Sequence, residues 1–387
     1  MDKLRYASTD EGVTIYLEGK VNAARAPYIE ESIARILSQV GCTNVTLDAS
    51  SLDYISSAGL RVVLRLLKTC ERLSLANASS GVYDVFETTG ITHIMRVTRR
   101  PRELSLDGLV QIGAGAFGRV YRLDDERVVK MYDPAVNPLD KVECEQRVAR
   151  EAFVHGVPSA IPFETVRAGD EVGLVYELVN ARTIGEVVSA HPAQARDYGR
   201  RMAELALLLH HTHFEEGTMP DARLIFHGWV DRAEKSGLYA PGTVERLRAF
   251  VDDIPEANTF VHGDFHPANI MVMDDGELTL IDMGDASVGD AVIDLAGTFH
   301  VLRIAAARPG GAKRLTGMPK ELLDQLWDAF VRTYFGLSDD EGLGEVEARL
   351  RRFALPRTMG SIARSKLIDD ETRRRQAAEA EQAFLAG

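Results

Sequence analysis

The sequence predicts an α/β domain followed by a larger α+β domain, and three observations support this division. Short apolar strands alternate with amphipathic helices through the first hundred residues. A glycine-rich segment between two strands opens the second region, which then changes to long helical patterns. Between the regions lies a charged stretch with a proline, VTRRPRE at 97–103, which is typical of a linker. We therefore predict domains at 1–98 and 108–387, joined by a linker at 99–107.

Composition and charge limit the classes of function. The net charge is −13 and is uneven: residues 1–100 hold 12 basic and 11 acidic residues, and the rest hold 33 and 47. The acidic second region argues against a nucleic-acid partner, because phosphate neutralisation needs a basic surface. No apolar run is long enough to span a membrane, and the N-terminus lacks the apolar core of a secretory signal. Three scattered cysteines are too few for a disulfide framework, so we expect a cytoplasmic protein with no membrane partner.

The first region alternates strands and helices in a regular order. Residues 13–18 have strand character and end at Gly19, and apolar residues at helical spacing over 29–40 are followed by Gly41, which closes a helix. The remaining predicted elements are a strand at 45–48, a helix with apolar positions 60, 63, 64 and 67, a strand at 73–76, and a helix at 82–89 that ends at Gly90.

Three segments of this region resemble one family. Residues 47–61, LDASSLDYISSAGLR, look like the signature of STAS domains of the anti-sigma-factor antagonist type, and LSLAN at 73–77 and VFETTGI at 85–91 also match the pattern. The resemblance covers nearly all of residues 1–98. It implies a four- to five-stranded mixed sheet backed by helices, which binds a regulatory protein partner and performs no chemistry of its own.

The same resemblance implies a regulatory serine at the start of the second helix. A phosphate there would meet free backbone N–H groups and the positive end of the helix dipole. The serine of the family directly precedes the Gly-Leu pair, but Ala58 stands at that place here, so Ser57 and Ser56 are the nearest candidates. The structural alternative is that Ser56 caps the helix and Ser57 is its first residue.

A glycine loop opens the second region. Residues 109–123, LVQIGAGAFGRVYRL, place Gly113, Gly115 and Gly118 in the pattern G-x-G-x-x-G-x-V. A dinucleotide-binding fingerprint would open a helix, but here another strand follows the loop. The loop therefore joins two antiparallel strands and lets the backbone approach nucleotide phosphates, with Lys130 on the next strand to pair with them. The alternative is an ordinary glycine-rich hairpin with a solvated lysine.

Two further groups are predicted to serve the nucleotide. Lys130 needs a carboxylate partner, and the helical stretch KVECEQRVAREAF at 141–153 favours Glu145, although a solvated helix face would carry such charges as well. The apolar strand GLVYELV at 173–179 leads to a hinge, where backbone groups near Glu177 and Val179 should meet the nucleotide base.

The segment HGDFHPAN at 262–269 has the order H-x-D-x-x-x-x-N that kinase catalytic loops carry. In that arrangement Asp264 takes the proton of the attacking hydroxyl. Asn269 and Asp282, which we place inside a short apolar strand, hold the magnesium ions on the nucleotide. Chance would produce a lone Asp-to-Asn spacing often, but not together with the glycine loop and lysine upstream.

Residues 109–300 resemble the aminoglycoside phosphotransferase and choline kinase-like superfamily. The motifs that carry the resemblance are the glycine loop, the strand that bears Lys130, the segment at 262–269, and IDMGDASVGDAVIDLA at 281–296. The resemblance implies a two-lobed, protein-kinase-like fold, with a first lobe near 108–179 and a helical second lobe near 180–387. It also implies transfer of a phosphoryl group from ATP, with Mg²⁺, to a hydroxyl.

The departures from protein kinases favour a small-molecule acceptor. His266 stands two residues after Asp264, where protein kinases carry a lysine, and the interval from Asp282 to Asp294 leaves little room for an activation segment. Two alternatives stay open: a serine kinase that acts on a STAS domain in an anti-sigma-factor pathway, and a nucleotide-sensing scaffold with little turnover. The motifs leave open whether ATP or GTP is used and which compound accepts the phosphoryl group.

Overall fold

The computed structural model describes residues 3–9, 12–114, 118–365 and 368–386. Contacts divide the chain into two compact units, Met1–Leu104 and Ser105–Gly387. The linker at 99–107 stays a prediction.

The first unit is a mixed sheet backed by helices, as the sequence predicted. Its five strands lie in the order β1-β2-β3-β4-β5, in which β1 pairs antiparallel with β2 and the other neighbours are parallel. Inward-facing strand residues and the apolar faces of the helices form one core. The elements are β1 (Tyr6–Thr9), β2 (Gly12–Val21), α1 (Ala26–Val40), β3 (Asn44–Ile55), α2 (Ser57–Leu66), β4 (Arg72–Ala78), α3 (Ser80–Thr88), β5 (Arg96–Arg99) and a two-residue strand, β6 (Arg102–Glu103).

Two predicted strand ends in this unit were wrong. β2 continues past Gly19 to Val21, because Gly19 takes a positive φ of 63° and shifts the register against β3 without ending the pairing. β3 runs on from the predicted 45–48 to Ile55 along the same partner. The glycine read as a strand terminator is therefore a bulge residue.

The second unit begins with an antiparallel sheet. Five of its strands lie in the order β10-β11-β9-β8-β7, and β8 and β11 flank β9, which carries Lys130. The elements are β7 (Val110–Ala114), β8 (Gly118–Arg122), β9 (Arg127–Tyr132), α4 (Leu139–Val154), β10 (Pro162–Ala168) and β11 (Glu171–Glu177).

The rest of the unit is mostly helical, with two small sheets in the orders β12-β14-β15 and β13-β16. α9 continues into a π-helical turn at His300–Ala305. The elements are β12 (Arg182–Thr183), α5 (Ile184–Ala190), α6 (Ala195–His210), α7 (Arg223–Ser236), α8 (Pro241–Asp252), β13 (Phe260–Val261), β14 (Ile270–Val272), β15 (Leu278–Leu280), β16 (Ser287–Val288), α9 (Val292–Phe299), α10 (Gly311–Thr316), α11 (Lys320–Phe335), α12 (Asp340–Phe353), α13 (Leu355–Arg364) and α14 (Asp370–Ala386).

One apolar core joins the sheet of this unit to its helices. The sequence pattern predicts an apolar stripe at Leu323, Leu326, Trp327, Phe330 and Tyr334; in α11 the first four are buried in this core, and Tyr334 is partly buried against it. Among the described residues, no helix is both long and apolar enough to cross a membrane.

Candidate active site

Lys130 lies at the centre of a buried charge network. Its Nζ is 2.6 Å from Oδ1 of Asp282 and 3.2 Å from Oε1 of Glu145, so the structure brings all three predicted residues together. Burial alone would lower the pKa of Lys130, but the two carboxylates outweigh it and raise the pKa above its usual value. The ammonium therefore stays charged at any physiological pH.

Two tyrosines that the sequence analysis did not single out fix Glu145. The hydroxyls of Tyr132 and Tyr176 donate to its Oε1 at 2.6 and 2.8 Å. Burial is the main cause that raises the pKa of both phenols well above the usual value, so both remain donors. Tyr132 stands two residues after Lys130 on β9, hence on the same face of the strand, and this period-2 spacing was the available signal.

The loop between β13 and β14 is held in place by hydrogen bonds to Asp294 on α9. The carboxylate of Asp294 accepts the backbone N–H groups of His262 at 2.8 Å and Gly263 at 2.7 Å, and it also contacts His210 at 3.2 Å. Gly263 has a φ of 80°, and a Cβ there would lie 2.6 Å from the carbonyl oxygen of Asp285. Glycine is therefore required twice over, for its backbone angle and for the close approach of the next turn.

Asp264 projects from this loop into a ring of partners. Arg357, on α13, donates to Oδ1, while Nε2 of His266 lies 3.3 Å from Oδ2 and Nδ2 of Asn269 lies 3.2 Å from it. Burial by itself would raise the pKa of the Asp264 carboxyl, but the charges of His266 and Arg357 hold it well below its usual range. Asp264 is thus ionised and oriented before any ligand arrives.

Arg357 is a site residue that sequence reasoning missed. It stands 93 residues beyond Asp264 and belongs to no motif, so the sequence carried no signal for it. Its Nη1 also donates to the carbonyl of Gly263 at 3.1 Å. A Cβ at Gly297 would come within 2.8 Å of the same Nη1, so a glycine in α9 provides the space through which the guanidinium reaches the loop.

Asp282 is not inside a strand, and that part of the prediction was wrong. β15 ends at Leu280, and Asp282 follows with a φ of 64°, a left-handed conformation that is uncommon for aspartate. The turn continues into a short 3₁₀ segment at Met283–Asp285. The strained turn directs the Asp282 carboxylate to Lys130.

The residues predicted to hold magnesium carry oxygen atoms of the kind that Mg²⁺ prefers. The amide of Asn269 donates its Nδ2 to the Asp264 backbone carbonyl at 3.0 Å, which leaves its Oδ1 as an acceptor. Mg²⁺ is usually held by one or two protein oxygens together with substrate phosphates and water. Within the described part of the chain no three His, Cys, Asp or Glu side chains gather as a metal cluster, and magnesium binding by Asn269 and Asp282 stays a prediction.

Two of the three loop glycines, Gly113 and Gly118, lie in the described part of the chain, and their surroundings differ. A Cβ at Gly113 would lie 3.6 Å from the Val120 side chain, which is an ordinary contact distance. A Cβ at Gly118 would lie only 2.2 Å from the carbonyl oxygen of Met131. Gly118 is thus required by the close approach of β9, whatever the loop binds. Gly115 lies outside the described residues.

The predicted hinge residues lie where β11 ends. The N–H of Glu177 donates to the carbonyl of Ile161 at 2.9 Å, and the carbonyl of Val179 accepts from the N–H of Ala181 at 3.0 Å. Contact of either residue with a nucleotide base stays a prediction.

The two candidate regulatory serines of the first unit differ in their contacts. Ser56 is the N-cap of α2: its Oγ donates to the Val21 carbonyl at 3.1 Å and accepts from the Gly59 N–H at 3.4 Å. Ser57 is the first residue of the helix and is exposed. The structural role considered for Ser56 is therefore present, and Ser57 is the more accessible hydroxyl.

A cavity of about 300 Å³ in the second unit joins these groups to a second wall. Lys130, Glu145, Asp264 and Asp282 line one side. The other side comes from α7 and from the segment after Asp282, and its lining includes Ile225, Trp229, Arg232, Asp285 and Ser287.

Besides Asp282, the 281–296 segment contains three acidic residues, Asp285, Asp290 and Asp294, and these differ in position. Asp294 braces the loop, and Asp290 accepts the N–H of Val292 at the start of α9, so neither faces the cavity. Asp285 does line the cavity. Enclosure by protein, and then the neighbouring Asp264 and Asp282 charges, raise the pKa of its carboxyl.

Comparison with protein families assigns both units. The model of the family described as "Phosphotransferase enzyme family" matches residues 108–334, and the STAS domain model matches residues 5–104. In the first unit, the chain is 38% identical over 99 residues to BtrV of Bordetella bronchiseptica, which is named as a candidate anti-sigma factor antagonist. The match spans 24% of this chain and 84% of that protein.

Solved structures similar to this chain include two aminoglycoside phosphotransferases. A thermostable mutant of APH(4)-Ia in a ternary complex with AMP-PNP and hygromycin B is 16% identical, with a TM-score of 0.48 over 73% of this chain and 93% of its own. APH(2'')-Ib with ADP bound is 14% identical, with a TM-score of 0.46 over 78% of this chain and 97% of its own. The assignment rests on the family models. The match of the phosphotransferase model alone covers more than half of the chain. The chain belongs to the phosphotransferase enzyme family, with a STAS domain ahead of the region that the family model matches.

Proposed function

We propose that this protein transfers the terminal phosphoryl group of ATP, with Mg²⁺, to a hydroxyl of a small molecule, and that its STAS domain regulates it by binding a protein partner. The observation that carries the proposal is the convergence of Lys130, Asp264 and Asp282 on one cavity, with Asn269 beside Asp264. These residues come from segments that are up to 152 positions apart, and a hairpin with a solvated lysine would not produce that convergence.

In this reading, Lys130 binds the phosphates of the nucleotide and Glu145 holds Lys130 in place. Phosphoryl transfer leaves little covalent chemistry for the protein, so catalysis consists mainly of positioning and charge neutralisation. Asn269 and Asp282 would hold the magnesium, which when bound supplies positive charge next to the transferred group.

Asp264 orients the acceptor hydroxyl and takes its proton late. A carboxylate whose pKa lies well below the usual range is a weak base, so early deprotonation of an alcohol is not its main contribution. Arg357 and His266 fix the carboxylate geometry, which favours orientation of the attacking oxygen.

The segment after Asp282 supports a small acceptor. Only a 3₁₀ turn at Met283–Asp285 and the two-residue β16 precede α9, and protein kinases dock their substrates on a longer segment at this place. The cavity of about 300 Å³ is at the lower end of the range for small-ligand sites.

Purified full-length protein tests the proposal. We would titrate ATP and GTP with and without Mg²⁺ by calorimetry, then screen hydroxylated metabolites and aminoglycosides for compounds that stimulate nucleotide consumption. Stimulation by a compound that itself becomes phosphorylated supports the proposal. Label that ends on the STAS serine would instead favour the serine kinase, and binding without turnover would favour the nucleotide-sensing scaffold.

A further inference from the structure

The acceptor wall of the cavity holds a positive charge without a partner. Arg232, on α7, lines the cavity and is half-buried, yet it forms no ion pair or hydrogen bond with any residue in the described part of the chain. Its guanidinium instead lies over the ring of Trp229, with Cζ at 4.2 Å from the ring centroid. A stacked arginine keeps its N–H donors available for a ligand in the plane of the guanidinium.

The residues around Arg232 make its positive charge energetically unfavourable unless an anion is bound nearby. Helix α13 packs so closely on α7 that a Cβ at Gly360 would lie 2.4 Å from the carbonyl oxygen of Trp229, and this contact brings two more arginines near Arg232. Burial, and then the charges of Arg364 and Arg357, lower the pKa of Arg232. A partly desolvated cation among like charges gains most from a bound anion.

The carboxylates of the cavity do not supply that anion. Asp221 is paired with Arg223, Asp264 with Arg357, and Asp282 with Lys130. Asp285 lies close enough to raise the pKa of Arg232 but not within ion-pair distance of it. The pKa of Asp285 is itself raised by burial and by the Asp264 and Asp282 carboxylates, so the negative charge of Asp285 is opposed by these carboxylates as well as attracted by Arg232.

We propose that the acceptor is a hydroxyl compound with an anionic group, a carboxylate or a phosphate, and that Arg232 binds this group beside Trp229 while the hydroxyl reaches Asp264. This inference rests on the proposed phosphotransferase function and names the class of its acceptor. A planar guanidinium forms paired hydrogen bonds with either anion.

The test compares matched compounds that differ in a single group. One series is glycerate, glycerol 3-phosphate, glycerol and 3-amino-1,2-propanediol; the other is glucuronate, glucose 6-phosphate, glucose and glucosamine. Binding is measured by calorimetry on the full chain saturated with Mg²⁺ and AMP-PNP, so that the nucleotide is bound at Lys130 and the test compounds do not bind there. Quenching of the fluorescence of Trp229 gives a second measure of ligand binding, because the other tryptophan, Trp327, is buried outside the cavity.

We expect at least one anionic member to bind about tenfold or more tightly than its neutral and cationic counterparts. Arg232→Met should abolish that preference, Arg232→Lys should keep part of it, and Lys235→Met, an exposed change on the same helix outside the cavity lining, should leave it intact. Carboxylate and phosphate members separate the two kinds of anion.

Three results overturn the inference: no anionic member binds better than its neutral counterpart, the cationic member binds best, or Arg232→Met keeps the preference. A failure of the proposed function looks different, since AMP-PNP would then not bind or no phosphorylated product would form. The charge preference is read from binding and does not depend on turnover.

Discussion

The two units of this protein differ in how far they shield charged side chains from water. In the STAS domain, the four ion pairs described join side chains that are all more than a third exposed: Arg5–Glu18, Arg35–Glu31, Arg65–Glu30 and Arg99–Asp84. The phosphotransferase domain has exposed pairs as well, such as Arg200–Asp197, but it also buries the pair of His210 and Asp294, whose side chains are only 3% and 1% exposed, and it lines one cavity with charged side chains.

The difference shows where substitutions should have large effects. Exposed pairs contribute little to stability, because water and salt screen them. A charge shielded from water is costly to leave unpaired, and the side chains of Lys130, Asp264 and Asp294 are only 15%, 26% and 1% exposed, so we expect substitutions at these residues or their partners to have large effects. We therefore expect substitutions to affect catalysis mainly in the second unit. In the first unit we expect them to affect partner binding or the N-terminus of α2.

The largest effect is expected from Asp264→Asn, which removes the carboxylate that orients the acceptor. Phosphoryl transfer should fall on the order of a hundredfold or more, while AMP-PNP affinity changes little. Turnover and calorimetry are compared with those of Asp231→Asn, a change at an exposed residue on α7 that is paired with Arg248. Turnover within a few fold of the parent would show that Asp264 is not the catalytic residue.

The next effect concerns Glu145→Gln, which keeps the shape of the side chain but removes its charge. Lys130 would lose one of its two carboxylate partners, and we expect nucleotide affinity to weaken about tenfold. Glu151→Gln is the matched control, because this residue lies on the same helix and its carboxylate lies 3.9 Å from Nδ1 of His155, away from Lys130. Equal nucleotide affinity in Glu145→Gln and parent would separate Glu145 from nucleotide binding.

A third effect appears in the pH profile of Arg357→Met. Arg357 is a positioning residue that helps keep the pKa of Asp264 well below its usual range, so the parent keeps Asp264 ionised as the pH falls toward 5. Without the guanidinium, burial is opposed mainly by His266, so the pKa of Asp264 rises, and Asp264 becomes protonated, with loss of turnover, at a higher pH than in the parent. The acid limb of kcat should therefore move to higher pH.

Arg357→Lys supplies the control for that prediction, since a restored positive charge should return part of the shift. Folding stability should depend on pH in the same direction as turnover. Because the pKa of Asp264 is lower in the folded state than in the unfolded state, Asp264 contributes to stability above the unfolded pKa, and this contribution is lost as the pH falls through the folded pKa. If Arg357→Met lowered turnover equally at every pH, Arg357 would act only as a packing residue.

The cluster of Lys130, Asp264, Asn269 and Asp282, which we propose binds the nucleotide, could be located from the sequence because its residues occur in short, ordered patterns. The spacing from His262 to Asn269 reflects one loop between two strands, and Lys130 occupies a strand next to the glycine loop. Each pattern is local, so the sequence shows it directly. Asp282 was found by the same reasoning, although its turn conformation was not, because a positive φ on aspartate has no composition signal.

The acceptor half could not be predicted in the same way. Arg232 and Arg357 lie on helices α7 and α13, which look like ordinary amphipathic or charged helices in the sequence. They meet at Trp229 only because Gly360 allows those helices to pack closely. Contacts between residues more than a hundred positions apart depend on tertiary packing, and a single sequence does not record that.

The smallest effect is expected in the STAS domain, at Ser56→Ala. Loss of this N-cap should lower the stability of α2 by about 1 kcal/mol, whereas Ser57→Ala should change it by less than about 0.5 kcal/mol, because Ser57 is exposed. Hydrogen exchange at the amides of α2 in the full chain measures both, since both tryptophans lie in the other unit.

The same pair of variants decides which serine could serve regulation. Phosphorylation of Ser56 would require the cap to release the carbonyl of Val21 and the N–H of Gly59, but a phosphate on Ser57 would meet the helix N-terminus without that loss. We therefore expect that any phosphoryl label on the first unit, after incubation with Mg²⁺ and ATP, appears on Ser57. Intact-mass analysis of the parent and Ser57→Ala tests this. A mass increase that persists in Ser57→Ala would reassign the site, and no increase in the parent would leave partner binding, without autophosphorylation, as the function of the STAS domain.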